Sequence, residues 1–274
     1  TISQKSNAKN PEKLCHFSPK YLHATSMNQI RAILRFAAFT MASVGIYSSW
    51  WVTSFFIPNK TYWRQLAFGL WSRAFIRIAG VRLNVIGEPP QPPFFLAANH
   101  LGYADIPILR AAAIGVFVAK HDLADWFLAG RMMRDMGMVF INRGNRRDIP
   151  RAGSQIIDRL SGGEGIIVFP EGTSTKGEEV LPFRSSFFEF AAKSDVPVSY
   201  ASISYRTPEG EGPASEFICW WDDTPFLKHM LRMFSLSGYE ATVVFGTEPI
   251  VRTNRKELAG ELHRRVEQSF IPVI

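Results

Sequence analysis

The chain has 274 residues, of which 46% are hydrophobic and 20% charged, so it can fold around a sizeable core and is not a disordered chain. Its formal net charge of +7 suits anionic partners such as nucleic acid, acidic lipid or phosphorylated small molecules, without selecting one of them. The two cysteines, Cys15 and Cys219, lie far apart, which excludes a disulfide framework and a cysteine-rich metal site.

The N-terminal part of the sequence divides into a polar stretch and an apolar one. Residues 1–29 are polar with scattered lysines, and we expect a flexible basic tail. Residues 36–57 contain no charge and are long enough to cross a bilayer core. Trp50 and Trp51 suit a membrane interface, whereas several serines and threonines dilute the run. The pattern predicts a helix that spans the membrane or lies in one leaflet, with a buried core helix as the alternative.

The next stretch, residues 62–80, places arginines among tryptophan, phenylalanine and leucine side chains. A basic helix with aromatic residues is typical of a membrane surface, although an amphipathic helix packed on a domain shows the same pattern. Together, residues 30–80 are predicted to form a membrane-anchoring or interfacial helical segment.

From residue 81 onward, short apolar runs alternate with helical patterns, which predicts an α/β domain over residues 81–274. The predicted strands are 81–87, 94–99, 138–142, 165–170, 196–205 and 241–250. The predicted helices are 106–114, 122–136, 147–160, 185–194 and 255–270.

The stretch FFLAANHLGYADIPIL, residues 94–109, holds the first candidate chemistry. If the chain turns at Gly102, Asp105 can accept a hydrogen bond from one ring nitrogen of His100 and leave the other nitrogen to take a proton. No serine elbow or activated cysteine accompanies this pair, so the nucleophile would be a substrate group such as a hydroxyl. Two loop residues that share this spacing by chance are the alternative.

Two more predicted strands end in polar residues. Glu171 and Gly172 follow the strand 165–170, and ligands bind at such strand ends in open α/β sheets. Arg143 follows the strand 138–142, and its guanidinium group matches phosphate and carboxylate geometry. A simple turn and a solvated basic loop are the plain alternatives for these two sites.

In combination, these stretches resemble the lysophosphatidic acid acyltransferase family of glycerolipid acyltransferases. The family's N-H-x4-D block is matched at residues 99–105, and its G-x-x-F-I-x-R block at 137–143. F-P-E-G-T is matched at 169–173, L-P-F-[KR] at 181–184 and V-P-[IV] at 196–198. The blocks carry the resemblance over about two-thirds of the chain.

The resemblance implies an α/β fold: a mixed sheet flanked by helices and preceded by membrane-associated N-terminal helices. It implies transfer of a fatty acyl group from acyl-CoA or acyl carrier protein to a lysolipid hydroxyl, foremost that of 1-acyl-sn-glycerol 3-phosphate, giving phosphatidic acid. Membrane lipids are then partners, and nucleic acid is not. We expect no metal or other cofactor, and a membrane location with the catalytic domain on the cytoplasmic face, at the inner membrane in a bacterium.

The same resemblance assigns roles to residues. His100 would be the general base, and Asp105 would orient it and stabilise its charge. Glu171 and Gly172 would position the acceptor, while the cations would hold its phosphate. The full set of expected substrate-binding residues is Asn99, Arg143, Glu171, Gly172, Thr173, Lys176 and Arg184.

Four departures from the family pattern concern the acceptor. Ser174 stands where the family often has arginine, Arg184 replaces a lysine, Ser186 a glycine and Tyr200 a proline. The chemistry is unaffected, but a different acceptor such as lyso-ornithine lipid becomes the alternative. A thioesterase or lipase and a non-catalytic lipid-binding protein are further alternatives. The missing serine elbow argues against the former, and the His100 pair against the latter.

Overall fold

Two long helices precede the sheet. The computed structural model of the protein describes residues 26–142 and 148–273. Helix α1 spans Ser26–Thr53 and helix α2 spans Lys60–Ala79. The Asn59 side chain caps α2, and Gly80 ends it in the left-handed conformation. Most of the predicted tail lies outside the described residues, and α1 takes in its last four positions.

The sheet is mixed, as predicted. Its strands are β1 Val81–Ile86, β2 Phe94–Ala98, β3 Gly115–Lys120, β4 Val139–Ile141, β5 Gly165–Val168, β6 Val198–Arg206 and β7 Tyr239–Phe245. Their order is β1-β7-β6-β2-β5-β3-β4. Strands β6 and β7 pair antiparallel, whereas the other neighbours pair parallel. The central position of β2 follows from its five consecutive buried residues.

Helices cover both faces of this sheet. They are α3 Asp105–Ala112, α4 Ala129–Asp135, α5 Asp148–Ser161, α6 Glu189–Lys193, α7 Ala214–Phe217, α8 Phe226–Ser235 and α9 Arg255–Ser269. Short 3-10 helices occupy His121–Asp125 and Ser185–Phe188. Strand alternation divides the core: Leu96 packs with α2, α3 and α8 on one face, and Phe95 packs with α5, α6 and α9 on the other.

The structure differs from the predicted elements at several positions. Strand β3 and helices α7 and α8 were not predicted, because a short apolar run such as GVFVAK has no decisive period. The helix predicted for 122–136 is broken at Trp126–Leu128 into a 3-10 turn and α4. Gly130 lies so close to the Ala124 carbonyl that the chain turns back on itself there, which an unbroken helix would not allow.

Helix α1 packs on the sheet domain along one side and is exposed on the other. Arg31 and Arg35 donate to the carbonyl oxygens of Ser235 and Leu236 at 3.1 and 2.7 Å. Phe39 contacts the ring of Phe234 edge-on. Within the described part of the chain, α1 alone is long and apolar enough to cross a membrane, and only 6% of its most apolar stretch is buried.

Candidate active site

The candidate site lies where the parallel strands β2 and β5 end side by side. Ala97 of β2 is paired with Val168 of β5, so the segments that follow both strands leave the sheet at one edge. His100 lies two residues beyond β2, and Glu171 three residues beyond β5. This is the edge at which open α/β sheets bind their ligands.

His100 and Asp105 are in contact. His100 Nδ1 lies 2.7 Å from Asp105 Oδ2, and the same oxygen accepts from the backbone N–H groups of Leu101 and Gly102 at 2.7 and 3.0 Å. Asp105 is fully buried at the start of α3, and the turn at Gly102 folds it back on the histidine. A carboxylate with these donors is an acceptor, so Nδ1 carries the proton.

The second nitrogen of His100 is therefore able to accept a proton. Within residues 26–142 and 148–273, the Nε2 atom has no hydrogen-bond partner. The side chain is 22% exposed, so a substrate can reach it. The ring also stacks on Phe169, with centroids 4.1 Å apart and planes 14° apart, which fixes its orientation. This arrangement is that of a general base with an orienting carboxylate.

Tyr205 completes the environment of Asp105, and the sequence analysis did not identify it. Its hydroxyl group, on β6, donates to Asp105 Oδ1 at 2.6 Å. Burial, and then the charge of Asp105, raise the pKa of Tyr205 well above its ordinary value, so the group stays a donor. The sequence places Tyr205 in a predicted strand. It does not give the order of strands in the sheet, which brings Tyr205 next to Asp105.

Asn99 lies behind the pair. Its side chain is 1% exposed, donates to the Ile203 carbonyl at 2.9 Å and accepts from the Ile203 N–H at 2.7 Å. These two bonds tie the end of β2 to β6. The side chain thus holds the His100 segment in place.

Glu171 is also a brace. It is 3% exposed, and its two carboxylate oxygens accept from the backbone N–H groups of His100 at 2.7 Å and Leu181 at 3.0 Å. Burial raises its pKa to about 8, against the opposing effect of those two N–H groups. The carboxyl group thereby fixes the backbone of His100.

Trp220 connects the segment that follows β2 with the segment that follows β5. The backbone N–H of Trp220 donates to the Leu101 carbonyl at 2.8 Å, while the Trp220 carbonyl accepts from the hydroxyl of Ser174. Ser174 therefore uses its side chain within the protein. The residue that departs from the family pattern has a defined structural partner, which the sequence alone did not indicate.

An apolar cavity of about 390 Å³ reaches the pair, and this volume lies within the range of ligand sites. His100, Gly102 and Ser174 line it next to the candidate base. Its other walls come from α1, α2, α3, the segment from Leu123 to Met138, and α8; they include Phe39, Ile46, Phe68, Trp71, Ile106, Met133 and Met230. Such a lining suits a hydrocarbon chain and not a charged group.

Comparison with known proteins agrees with this geometry. Residues 82–204 match the family model described as Acyltransferase. A lyso-ornithine lipid O-acyltransferase from Rhodobacter capsulatus is 34% identical over 205 residues, which are 72% of this chain and 73% of that protein. The chain belongs to the lysophosphatidic acid acyltransferase family. A 1-acyl-sn-glycerol-3-phosphate acyltransferase from Neisseria gonorrhoeae is 32% identical over 47% of this chain and 52% of that relative.

The fold of this acyltransferase also has a solved counterpart. The crystal structure of the 1-acyl-sn-glycerophosphate (LPA) acyltransferase PlsC from Thermotoga maritima superposes with a TM-score of 0.63. It covers 88% of this chain and 97% of that one, at 24% identity, and so shows the shared fold. As a family member, the chain is an acyltransferase of lysolipids. Its relatives, which are named as acyltransferases of membrane lipids, and helix α1 indicate association with membranes.

The remaining residues that the acyltransferase resemblance assigns to substrate binding lie on the loop after β5 and near it. Gly172 has a φ of 82° and turns the chain, and Thr173 is exposed beside it. Arg184 is exposed, and its Nε donates to the Glu171 carbonyl oxygen at 3.2 Å. Among residues 26–142 and 148–273, the two N–H₂ groups of that guanidinium group have no hydrogen-bond partner.

The other two cations differ in their setting. Lys176 pairs with Glu178 at 2.8 Å and lies 5.9 Å from the centre of the Trp221 ring. Arg143 lies outside the described residues. In the part of the chain that the structure covers, no group of three or more histidine, cysteine or carboxylate residues is arranged to hold a metal ion.

Proposed function

We propose that this acyltransferase moves a fatty acyl group from a thioester donor to the hydroxyl group of lyso-ornithine lipid. The observation that carries the acceptor is Ser174. It occupies the position after E-G-T where the family often has arginine, and its hydroxyl group donates a hydrogen bond to the Trp220 carbonyl. A guanidinium group is a favoured ligand of phosphate, and this position does not supply one.

The relatives support the same acceptor. The protein named lyso-ornithine lipid O-acyltransferase aligns with 72% of this chain, whereas the Neisseria protein named 1-acyl-sn-glycerol-3-phosphate acyltransferase aligns with 47%. Lysophosphatidic acid, the first expectation from sequence, is the second candidate because Arg184 keeps a guanidinium group close to the site.

The proposed reaction needs no nucleophile from the protein. His100 Nε2 takes the proton of the acceptor hydroxyl as the oxygen attacks the thioester carbonyl. The new carbon–oxygen bond forms, the carbon–sulfur bond breaks, and His100 returns the proton to the leaving thiolate. Asp105 stabilises the transient imidazolium, because its two oxygens are held in place by four donors including His100.

The apolar cavity is the proposed site of an acyl chain. It starts at His100, where the reacting carbonyl must lie, and continues between α1, α2 and α4. A thioester of coenzyme A or of acyl carrier protein would present the same chain and carbonyl group. The donor's carrier would remain outside the cavity, which has apolar walls.

The position of α1 favours insertion into one leaflet over crossing the bilayer. The helix contacts α2 or the sheet domain at Arg31, Arg35, Phe39, Ser43 and Tyr47. These contacts extend over about 24 Å of helix, calculated at about 1.5 Å per residue. A helix bound to the domain over this length presents only its outer face to lipid. The catalytic domain would lie on the cytoplasmic face, where both thioester donors occur.

The test is an acyl-transfer assay with the full chain in detergent, labelled acyl-CoA or acyl carrier protein, and separate acceptors. Product with lyso-ornithine lipid is expected, and His100→Ala should lower its rate at least about 100-fold, the low end for a lost general base. Product only with lysophosphatidic acid would refute the acceptor assignment. Free fatty acid without acceptor would indicate a thioesterase.

A matched pair of variants tests the argument from Ser174. Ser174→Arg adds the missing guanidinium group, and Ser174→Ala removes the bond to Trp220 without adding charge. We expect lysophosphatidic acid to become a better acceptor only in the arginine variant. An equal gain in both variants would show that loop mobility, and not the missing cation, decides the acceptor.

A further inference from the structure

The segment between the 3-10 turn and α4 exposes three consecutive apolar side chains. Trp126 is 40% exposed, Phe127 90% and Leu128 63%. Leu227 of α8 is 51% exposed, and the ring centre of its neighbour Phe226 lies 5.6 Å from that of Trp126. Two distant parts of the chain thus form one exposed apolar patch, here called the rim patch, consisting of Trp126–Leu128 and Leu227.

The backbone conformation that exposes the side chains of the rim patch is strained. The Ala129 N–H donates to the Phe127 carbonyl at 2.6 Å, and Leu128 between them has φ 57° and ψ −49°. This is a γ-turn of the rare hand, which is strained for a residue with a side chain. Folding alone would favour burial of Phe127, so the exposed turn calls for an apolar partner.

The rim patch borders the cavity that leads to the candidate base. Trp126 and Ala129, on either side of Phe127 and Leu128, line that cavity, and His100 lines the same space. A chain that enters beside the turn would therefore remain among apolar side chains as far as His100. The location links the exposed patch to the path of a lipid substrate.

We propose that the rim patch inserts into the membrane surface and marks where lipid chains enter the cavity. The inference rests on the proposed function only for the lipid nature of the cavity's occupant. The cations around the turn are mostly engaged within the protein. Lys120 pairs with Asp122, Arg131 pairs with Asp135, and Arg134 donates to the Ala124 carbonyl. These cations are thus not free for an acidic carrier protein, whereas lipid insertion requires only the apolar side chains.

The first test measures lipid contact without turnover. The full chain carrying Cys15→Ser and Phe127→Cys is labelled with nitrobenzoxadiazole, since Cys219 is 2% exposed and does not compete. The matched control is Ile157→Cys on α5, which is 41% exposed on the opposite face of the sheet. Both are placed in vesicles of phosphatidylethanolamine and phosphatidylglycerol with acyl-chain spin-labelled lipid.

Emission from position 127 should shift to shorter wavelength and be quenched by the spin label, while emission from position 157 should not. Solvent-like emission at position 127 would overturn the proposal. Equal quenching at both positions would also overturn it, because it would indicate adsorption of the whole surface. A lipid-independent change that grows with protein concentration would assign the patch to a second copy of the chain.

The second test measures delivery of substrate. The double variant F127S/L128S should lower kcat/KM about tenfold for an acceptor in vesicles, equivalent to about 1.4 kcal/mol of lost apolar contact. It should leave kcat/KM unchanged for a short-chain acceptor dissolved as monomers, and Ile157→Ser should change neither. Equal loss with both acceptors would overturn the proposal, since it would indicate damage to the site itself.

Discussion

Replacement of Tyr205 by phenylalanine removes one hydroxyl group from the environment of the candidate dyad. That hydroxyl donates to Asp105 Oδ1 at 2.6 Å, inside a fully buried cluster. Hydrogen bonds to charged groups contribute about 1.5–3 kcal/mol. For a chain of this size, we expect the melting temperature to fall by roughly 3–12 °C at about 2–4 °C per kcal/mol.

The effect on catalysis should be distinct from the effect on stability. Without the tyrosine donor, the negative charge of Asp105 is less dispersed and acts more strongly on His100. The carboxylate is also held by one donor fewer, so His100 is oriented less firmly. A loss of about 1.4 kcal/mol in orientation of the base would lower kcat about tenfold. KM for the acceptor should change little, because Tyr205 is buried behind the dyad.

Tyr239→Phe is the matched control. Tyr239 is equally buried on the neighbouring strand, and its ring centre lies 5.9 Å from that of Tyr205. Among the described residues, its hydroxyl donates only to the sulfur of Met233 at 3.7 Å. The control should keep the kcat of the unmodified chain. If Tyr205→Phe had the same kcat as the control, Tyr205 would not be a residue that positions Asp105.

Two further predictions concern a buried histidine and the cavity wall. Burial lowers the pKa of His229, between Tyr103 and the Cys219 carbonyl, to about 4. In the unfolded chain, His229 binds a proton at about pH 6.5, so the free energy of unfolding should fall as the pH drops from about 6.5 to about 4, by at most about 1.4 kcal/mol per pH unit. His229→Gln should make the melting temperature less dependent on pH over this range. Parallel curves of melting temperature against pH for the variant and the unmodified chain would contradict this prediction. Ala67→Leu narrows the cavity and should lower rates with long acyl donors more than with short ones in a chain-length assay, whereas Leu70→Phe on the exposed side of α2 should not.

The contact between His100 and Asp105 could be predicted from sequence because it is local. Five residues with a glycine between them offer few ways to turn, and a strand before them fixes the direction. The mixed sheet followed likewise from short apolar runs between helices. Both inferences use information contained within a few residues of each other.

The surroundings of the pair could not be predicted in the same way. Tyr205 reaches Asp105 from a strand 100 positions later, and only the order of strands in the sheet decides that contact. The family resemblance assigns Asn99 and Glu171 to substrate binding, and the structure buries both side chains. Their burial depends on which backbone groups of Ile203 and Leu181 lie opposite them, which is a property of the folded chain.

The position of helix α1 affects how this enzyme can be purified and how its preference for acyl chains can change. The helix with the exposed apolar face is also one wall of the cavity, through Phe39, Ser43, Ile46 and Tyr47. In the proposed function, membrane attachment and recognition of the hydrocarbon chain therefore both depend on α1. Removal of α1 to obtain a soluble enzyme would open the cavity to water, and sequence drift on its inner face would change chain preference while anchoring stayed the same.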